Sequence, residues 1–392
     1  MTKNKVINFD FENNCYGCRN CENICPKKAI KMINNEEGFI IPKIDYEKCI
    51  DCGLCTQKCP YLHNNQETLM KRKWYGGYLK DEKERMQSTS GGMFTALANW
   101  FLDNDGYVCG CVWNEELEAT HIITNKIKDI QRMRGSKYVQ SNLNSCVLEI
   151  KKLLAHHKVL FTGTPCQVAA IKKYNENNEN LYTMALICEG VSSPKVWKKY
   201  VNYLENKYKS KLINVQFRNK EVGWEPPVIK FFFKNGIVKS CLTFSTDLYG
   251  KAFLQGMTYR KSCNNCQYKL SGYNADIIVG DLWGAKKTII EESDNKGISA
   301  ILVNSKKGEE LLKQIKIAIY KANIEIVKHI ENQNDLIYVL KLFDLDEEDN
   351  SSTLIDLFEK NILPCPFIEA ADSAISLQAQ QNRYYRTQKR LL

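Results

Sequence analysis

The chain has 392 residues, is 44% hydrophobic and 26% charged, and carries a formal net charge of +10. That length suits two or three domains, and no apolar run reaches the roughly 18 residues that a membrane span requires, so a soluble protein with no membrane span is expected. The positive charge favours acidic partners, but no arginine-rich stripe with interleaved aromatics, helix-turn-helix or RNP-like pattern is present, so nucleic acid is not expected among them.

The N-terminus, Met1-Thr2-Lys3-Asn4-Lys5, lacks the apolar stretch of a signal peptide, and a cytoplasmic location with reduced thiols is expected. Eight of the 17 cysteines then fall into two copies of one spacing, Cys15-x₂-Cys18-x₂-Cys21-x₃-Cys25-Pro26 and Cys49-x₂-Cys52-x₂-Cys55-x₃-Cys59-Pro60. This is the binding run of a two-cluster bacterial ferredoxin, in which one tight loop supplies three thiolates to a cubane and the fourth cysteine ligates the other cluster. Cys15, Cys18, Cys21 and Cys59 are therefore assigned to one [4Fe–4S] cluster, and Cys49, Cys52, Cys55 and Cys25 to the other. Zinc sites use paired cysteines rather than runs of four ending in proline, and a disulfide framework would imply secretion. The chain is read as moving electrons. Residues 1–62 hold nine Lys and Arg against eight Asp and Glu, so the excess positive charge lies beyond them.

A polar stretch from Tyr61 to Lys73 reads as a linker, and a second domain begins at Trp74. Its pattern predicts a helix over Met93–Leu102, a strand from Gly106 to Trp113, a helix over Leu143–Leu154 and a buried strand at Val159–Phe161. A helix over Gln167–Tyr174, a strand over Leu181–Cys188 and an amphipathic helix over Lys195–Tyr208 follow. Such alternation argues for an α/β layer architecture. Short consecutive strands around 212–241 suggest an antiparallel addition to the sheet. Strands at Asp276–Val279 and Ile298–Val303 and a helix over Lys306–Tyr320 come next. The acidic run Asp344 to Asp349 and the basic tail with Arg383, Arg386, Lys389 and Arg390 read as solvated. The expected fold is an α+β ferredoxin-like two-cluster domain (1–62), a linker (63–73), a larger α/β domain with a mixed sheet (74–340) and a helical C-terminal extension (341–392).

Four motifs of the larger domain sit where strands hand over to helices, the usual place for cofactors in α/β proteins. Ser88-Thr89-Ser90-Gly91-Gly92 precedes a helix, where free backbone NH groups can cradle phosphate. Met133-Arg134-Gly135-Ser136-Lys137-Tyr138-Val139-Gln140-Ser141 gathers cations, hydroxyls, a phenol and an amide suited to a pyrophosphate and a flavin ring. Phe161-Thr162-Gly163-Thr164-Pro165-Cys166-Gln167 sets a cysteine at a helix N-terminus, which favours its thiolate. Cys263-x₂-Cys266, followed by Gly280-Asp281-Leu282-Trp283-Gly284, is ambiguous among zinc, a redox disulfide and a cluster half-site. It needs two more thiolates, and Cys166 and Cys188 end two predicted strands.

In this order, Ser90-Gly91-Gly92, Arg134-Gly135-Ser136-Lys137-Tyr138, Gly163-Thr164-Pro165-Cys166-Gln167, Phe217-Arg218-Asn219-Lys220 with Gly223-Trp224, Cys263-x₂-Cys266 and Gly280-Asp281-Leu282-Trp283-Gly284 resemble the β-subunit of coenzyme F420-reducing hydrogenases and dehydrogenases. The resemblance spans about Tyr75 to Asn304. It implies FAD held by Ser90, Gly91, Gly92, Arg134, Ser136, Lys137, Tyr138 and Gln140. It also implies a third [4Fe–4S] cluster on Cys166, Cys188, Cys263 and Cys266. Cys109 and Cys111 face the same side of a strand and are alternatives for one ligand, whereas Cys146, Cys241 and Cys365 read as buried small hydrophobes.

Clusters pass electrons singly and a flavin converts them to pairs. The expected activity is a ferredoxin-linked, FAD-dependent oxidoreductase acting by hydride transfer on a deazaflavin-like or other small organic acceptor, with Lys220 and Asp281 as catalytic candidates. An acidic electron carrier or redox partner protein is the expected second partner. The alternative is an electron-transfer subunit with no substrate of its own.

Overall fold

A computed structural model describes residues 5–63, 73–176, 178–269, 274–282 and 294–315. Most of the expected linker, Trp283-Gly284, Cys365, the extension 341–392 and the acidic and basic tails lie outside the described residues.

Residues 5–63 are organised by their duplicated cysteine runs. Each run needs two reversals of the chain, and left-handed residues stand at matching places: Gly17 (φ 67°) and Arg19 (φ 65°) in the first, Asp51 (φ 54°) and Gly53 (φ 78°) in the second. Short helices Asn20–Ile24 and Leu54–Gln57 follow and carry Cys21 and Cys55. Between the runs, β1 (Ile30–Asn34) and β2 (Ile40–Ile44) form an antiparallel hairpin with Ile30 opposite Ile44. Val6, Ile7 and Ile30 pack with Cys21, Cys55 and Cys59 into one small core, so the core and the cysteines are the same structure.

The larger part is built on a sheet ordered β3-β12-β11-β7-β6-β4-β5. Its centre is parallel: β4 (Tyr107–Trp113), β6 (Val159–Gly163), β7 (Leu181–Leu186) and β11 (Ile277–Asp281) run the same way. Antiparallel strands close both sides, β5 (Ala119–Thr124) beside β4, then β12 (Ser299–Val303) and β3 (Lys73–Gly77) beyond β11. The parallel strands are nearly continuous apolar runs because helices cover both faces. Val108, Leu160, Met184 and Ile277 meet the helices Met93–Asp103, Ile127–Met133 and Lys306–Ile315. On the other face Cys109, Phe161, Ala185 and Ile278 meet the helices Cys146–Leu153 and Pro165–Asn175. The mixed α/β expectation holds.

The segment 212–242 departs from expectation. β8 (Leu212–Asn219), β9 (Val228–Phe233) and β10 (Val238–Leu242) form their own antiparallel sheet instead of extending the large one. The reason is packing: Phe217, Phe231 and Phe233 bury against Trp197, Tyr200 and Tyr249, in a third core set up by the Pro194–Tyr208 helix. The edges of the large sheet are already taken by β3 and β5.

Candidate metal centres and strand-end site

Each cysteine run wraps one cavity. The first is lined by Cys15, Cys18, Cys21 and Cys59, with Tyr16, Pro60 and Tyr61 around them. The second is lined by Cys25, Cys49, Cys52 and Cys55. The four cysteines expected to share a cluster thus share a cavity, including the fourth of each set, which comes from the opposite run. Backbone amides already aim at sulfur in matching ways: Gly17 N–H to Cys15 Sγ (3.3 Å) and Asp51 N–H to Cys49 Sγ (3.4 Å), with Ala29 to Cys25 and Ile7 to Cys55 (both 3.3 Å). Among the described residues no three His, Cys, Asp or Glu side chains converge on a single-ion position. Four thiols around a cavity, with amide donors behind them, fit a [4Fe–4S] cubane rather than one zinc ion.

The two cavities differ in depth. Cys15, Cys21 and Cys59 are buried, whereas Cys52 of the second set is exposed. Burial, and then the charge of Cys59, pushes the Cys18 thiol well up, and Cys166 of the larger domain adds to that rise. The first set is therefore the inner one and faces the larger domain.

Across that boundary Cys166, Cys188, Cys263 and Cys266 gather from three elements. Cys166 opens the Pro165–Asn175 helix, Cys188 follows β7, and Cys263 ends a 3₁₀ turn over Lys261–Cys263. Their thiols lie close enough to raise one another: Cys188 is pushed well up by burial and then by Cys263, Cys166 and Cys266. Cys166 is pushed up to about 12 by burial and then by Cys266, against the Thr164 hydroxyl 3.2 Å away. The lowering expected of a helix N-terminus is opposed at Cys166 by burial, which favours the neutral thiol. Four half-buried thiols, whose thiolates would repel one another, are the donor set that a cluster's iron would stabilise. Cys109 and Cys111 do not join them. Cys109 is buried in the core against Cys146, and Cys111 lies near Lys137 and Ser141. Cys146 is buried as expected, its Sγ donating to His121 O (3.3 Å).

Tyr16 and Tyr268 fill the space between the inner set and these four. Their rings meet edge to face at 5.7 Å and pack with Ala169, Cys166 and Cys266. Tyr268 OH donates to Pro60 O (2.7 Å). Asn20 Nδ2 donates to Lys58 O (3.0 Å) and across the boundary to Ala170 O (2.8 Å). The Arg260 guanidinium donates to Cys15 O, to Gln140 Oε1 (3.0 Å) and to Ile40 O (2.9 Å), and Ser262 Oγ also donates to Cys15 O (3.0 Å). Sequence reasoning missed Arg260, Tyr16 and Tyr268. The one available signal was their position, beside a cysteine or within three residues of one.

The residues assigned by resemblance to FAD and to catalysis divide into groups. Ser90 (φ 53°) donates through Oγ to Ile298 O (2.6 Å), and its carbonyl accepts from Lys220 Nζ (2.5 Å). Gly91 is pressed onto the neighbouring strands: a Cβ there would stand 2.2 Å from Gly77 O. Gly92 (φ 85°) caps the Met93–Asp103 helix. Lys220 Nζ also donates to Arg85 O (2.8 Å) and Lys296 O (2.6 Å), and burial, with the Arg85 charge, pushes its pKa down to about 7. Asp281 accepts from Arg218 (2.7 and 3.2 Å) and from Trp224 Nε1 (2.7 Å), while Tyr138 OH lies 3.4 Å from Arg218. Lys220 and Asp281 thus stand near one another at the C-terminal end of β11, each holding neighbouring segments together.

The other assigned residues turn elsewhere. Arg134 pairs with Glu84 and Gln87, and Lys137 Nζ sits 3.1 Å from each of four carbonyl oxygens at the end of the Ile127–Met133 helix, sharing its three N–H donors among them. Gln140 faces the dicluster side, donating to Tyr16 O (3.1 Å). Two buried polar atoms near the strand ends lack protein partners, Thr89 Oγ1 and Arg134 Nε. They fit an oxygen-rich ligand at the Ser90–Arg134 side, whereas Gln140 does not belong to that group.

Comparison with known proteins decides the family. Residues 156–328 match the family model for the C terminus of the coenzyme F420 hydrogenase/dehydrogenase beta subunit, and residues 14–62 match the 4Fe-4S dicluster domain. Residues 156–328 belong to the F420 hydrogenase/dehydrogenase β-subunit family, behind a 4Fe-4S dicluster domain. A coenzyme F420-dependent sulfite reductase of Methanocaldococcus jannaschii is 24% identical over 165 residues, 41% of this chain and 25% of that protein. An uncharacterised polyferredoxin-like protein of the same organism is 44% identical over 64 residues, 14% of this chain and 38% of that one. The chain therefore spans well under half the length of these relatives. A chain of the F420-reducing [NiFe] hydrogenase complex from Methanosarcina barkeri aligns with TM-score 0.44 and 19% identity, over 70% of this chain and 93% of that one. The dicluster match places iron–sulfur binding in residues 14–62. The β-subunit match begins at residue 156, so the flavin-assigned residues from Ser90 to Gln140 lie before it.

Proposed function

We propose that this protein is an electron-transfer oxidoreductase in which a ferredoxin-like dicluster domain feeds a third [4Fe–4S] centre, held by Cys166, Cys188, Cys263 and Cys266, and an FAD in the β-subunit domain. The observation that carries the reading is the contiguity of the inner cysteine set with the third set through Tyr16 and Tyr268. The domain bounds 1–62 and 74–340 are part of the proposal.

When bound, the clusters supply one-electron storage and the flavin exchanges single electrons for pairs. The chain's own contribution is positioning. Buried aromatics exclude water between the two inner cysteine sets, amides aim at sulfur, and Lys220 and Arg218–Asp281 fix the segments carrying Ser90 and Gly280. Lys220 and Asp281 are read as positioning residues for that loop, since their donors and acceptors are engaged by protein groups. When bound, a reduced flavin would supply hydride chemistry to a small organic acceptor, such as a deazaflavin, at the strand ends. The alternative, a subunit that hands electrons to another protein, is favoured by one observation: most polar groups assigned to the flavin already have protein partners.

Iron and flavin content after anaerobic purification tests the proposal. About twelve irons and one FAD per chain is the expected result. About eight irons would overturn the third centre, and full iron without flavin would leave the subunit reading.

The exposed edge of the outer set is where electrons enter. Ile50, 56% exposed, and Lys27 line that cavity beside exposed Cys52, and Lys5 lies against Gly53. No carboxylate of the described residues pairs with Lys5, Lys27 or Lys28. An acidic one-electron carrier matches this face. Lys27→Glu with Lys28→Glu is expected to slow cluster reduction by an acidic ferredoxin at least about tenfold at low salt, with the difference vanishing at high salt. Equal rates at low salt would move the docking face elsewhere.

A further inference from the structure

Arg260 is 2% exposed, yet no carboxylate lies within ion-pair reach of it among the described residues. Among the described residues its guanidinium meets neutral acceptors, Cys15 O, Gln140 Oε1 and Ile40 O, and the face of Phe39 at 5.3 Å. A buried cation without a counter-charge is costly, so something anionic must offset it. The groups at hand are cysteines of both sets: the guanidinium holds the carbonyl of Cys15 in the inner set, and the Arg260 carbonyl accepts from the backbone N–H of Cys263 in the third set (2.8 Å). It therefore lies at the joint between two cysteine groups that belong to different domains.

The geometry points to Arg260 as the shared counter-ion of two iron–sulfur centres, raising their reduction potentials while its fork fixes the inner loop against the larger domain. This rests on reading both cysteine sets as cluster ligands. One-electron reduction of a [4Fe–4S] centre adds one negative charge and breaks no bond, so a fixed cation nearby stabilises the reduced form. The loop is built for close contact with the fork. Gly17 has φ 67°, and a Cβ there would stand 2.9 Å from Ile40 O and 3.1 Å from Arg260 Nη1. A cation shared by two centres draws electrons inward, from the exposed outer set toward the boundary.

The test is an EPR-monitored redox titration of the anaerobically purified full chain, on variants whose iron content is measured first. Iron content tests the ligand reading separately from the role of Arg260. Arg260→Gln is expected to keep its iron and move at least one midpoint to more negative potential. Arg260→Lys, which keeps the charge and loses the fork, is expected to leave the midpoints in place. Ser262→Ala removes a neutral hydrogen bond to the same Cys15 carbonyl and is expected to titrate like the unaltered protein. The proposal fails if iron-replete Arg260→Gln titrates unchanged, or if Arg260→Lys or Ser262→Ala shifts as far as Arg260→Gln. Should Arg260→Gln lose iron, Arg260→Lys carries the test: unchanged midpoints support the proposal and a negative shift overturns it.

Discussion

Cys188→Ala is expected to lower the iron content from about twelve to about eight atoms per chain while the dicluster signals persist. Cys188 follows β7, a strand fixed on both sides by β6 and β11, so its place does not depend on the metal. Its thiol is raised by burial and then by Cys263, Cys166 and Cys266, its neighbours in the set. A cubane deprived of one of four thiolates loses a corner that no neighbour replaces, since Cys109 and Cys111 are engaged elsewhere. Cys109→Ala is the control. It removes a buried sulfur packed in the core and is expected to cost stability while leaving iron unchanged. Twelve irons in Cys188→Ala would remove Cys188 from the ligand set and reopen the fourth position.

How far the sequence could be read followed the range of the interactions involved. The dicluster runs were legible because spacing alone fixes which thiolates one loop can present, and the exchange of Cys25 and Cys59 follows from the same constraint. The central strands were legible because a strand covered by helices on both faces must be apolar throughout, as in Val159-Leu160-Phe161. β5 was not, because Thr120, His121 and Thr124 interrupt its pattern. His121 is buried all the same, with Nε2 3.0 Å from Thr162 O and its ring stacked on Phe161. β3 begins inside the polar stretch read as a linker and is defined by pairing with β12, more than two hundred residues later.

The candidate flavin residues show the opposite failure. The segment from Arg134 to Gln140 is contiguous and chemically suggestive, but Gly135 (φ 83°) turns the chain within it. Lys137 then folds back onto the preceding helix end, while Gln140 reaches the dicluster domain. Proximity in sequence there does not make one site. Arg260 is the converse, because it acts on Cys15 across 245 residues and its neighbours Tyr259 and Lys261 give no hint of it.

Arg218→Leu is expected to cost about 3–5 kcal/mol of stability, the usual result of stripping one partner from a buried ion pair. The Arg218 and Asp281 side chains are only 5% and 13% exposed and bind through two contacts, so among the described residues the remaining carboxylate would keep a single donor, Trp224 Nε1. The double variant Arg218→Leu with Asp281→Leu is expected to recover part of that loss, because no lone buried charge is left. Urea midpoints followed by tryptophan fluorescence, on iron-replete anaerobic samples, measure the difference. The outcome also separates two roles for Asp281. A large loss in the single variant and a smaller one in the double identify a carboxylate whose work is to hold β8 against β11 and so shape the floor of the Ser90 loop. A negligible loss in Arg218→Leu would mean that the carboxylate is not held by the pair, which would return Asp281 to the catalytic candidates.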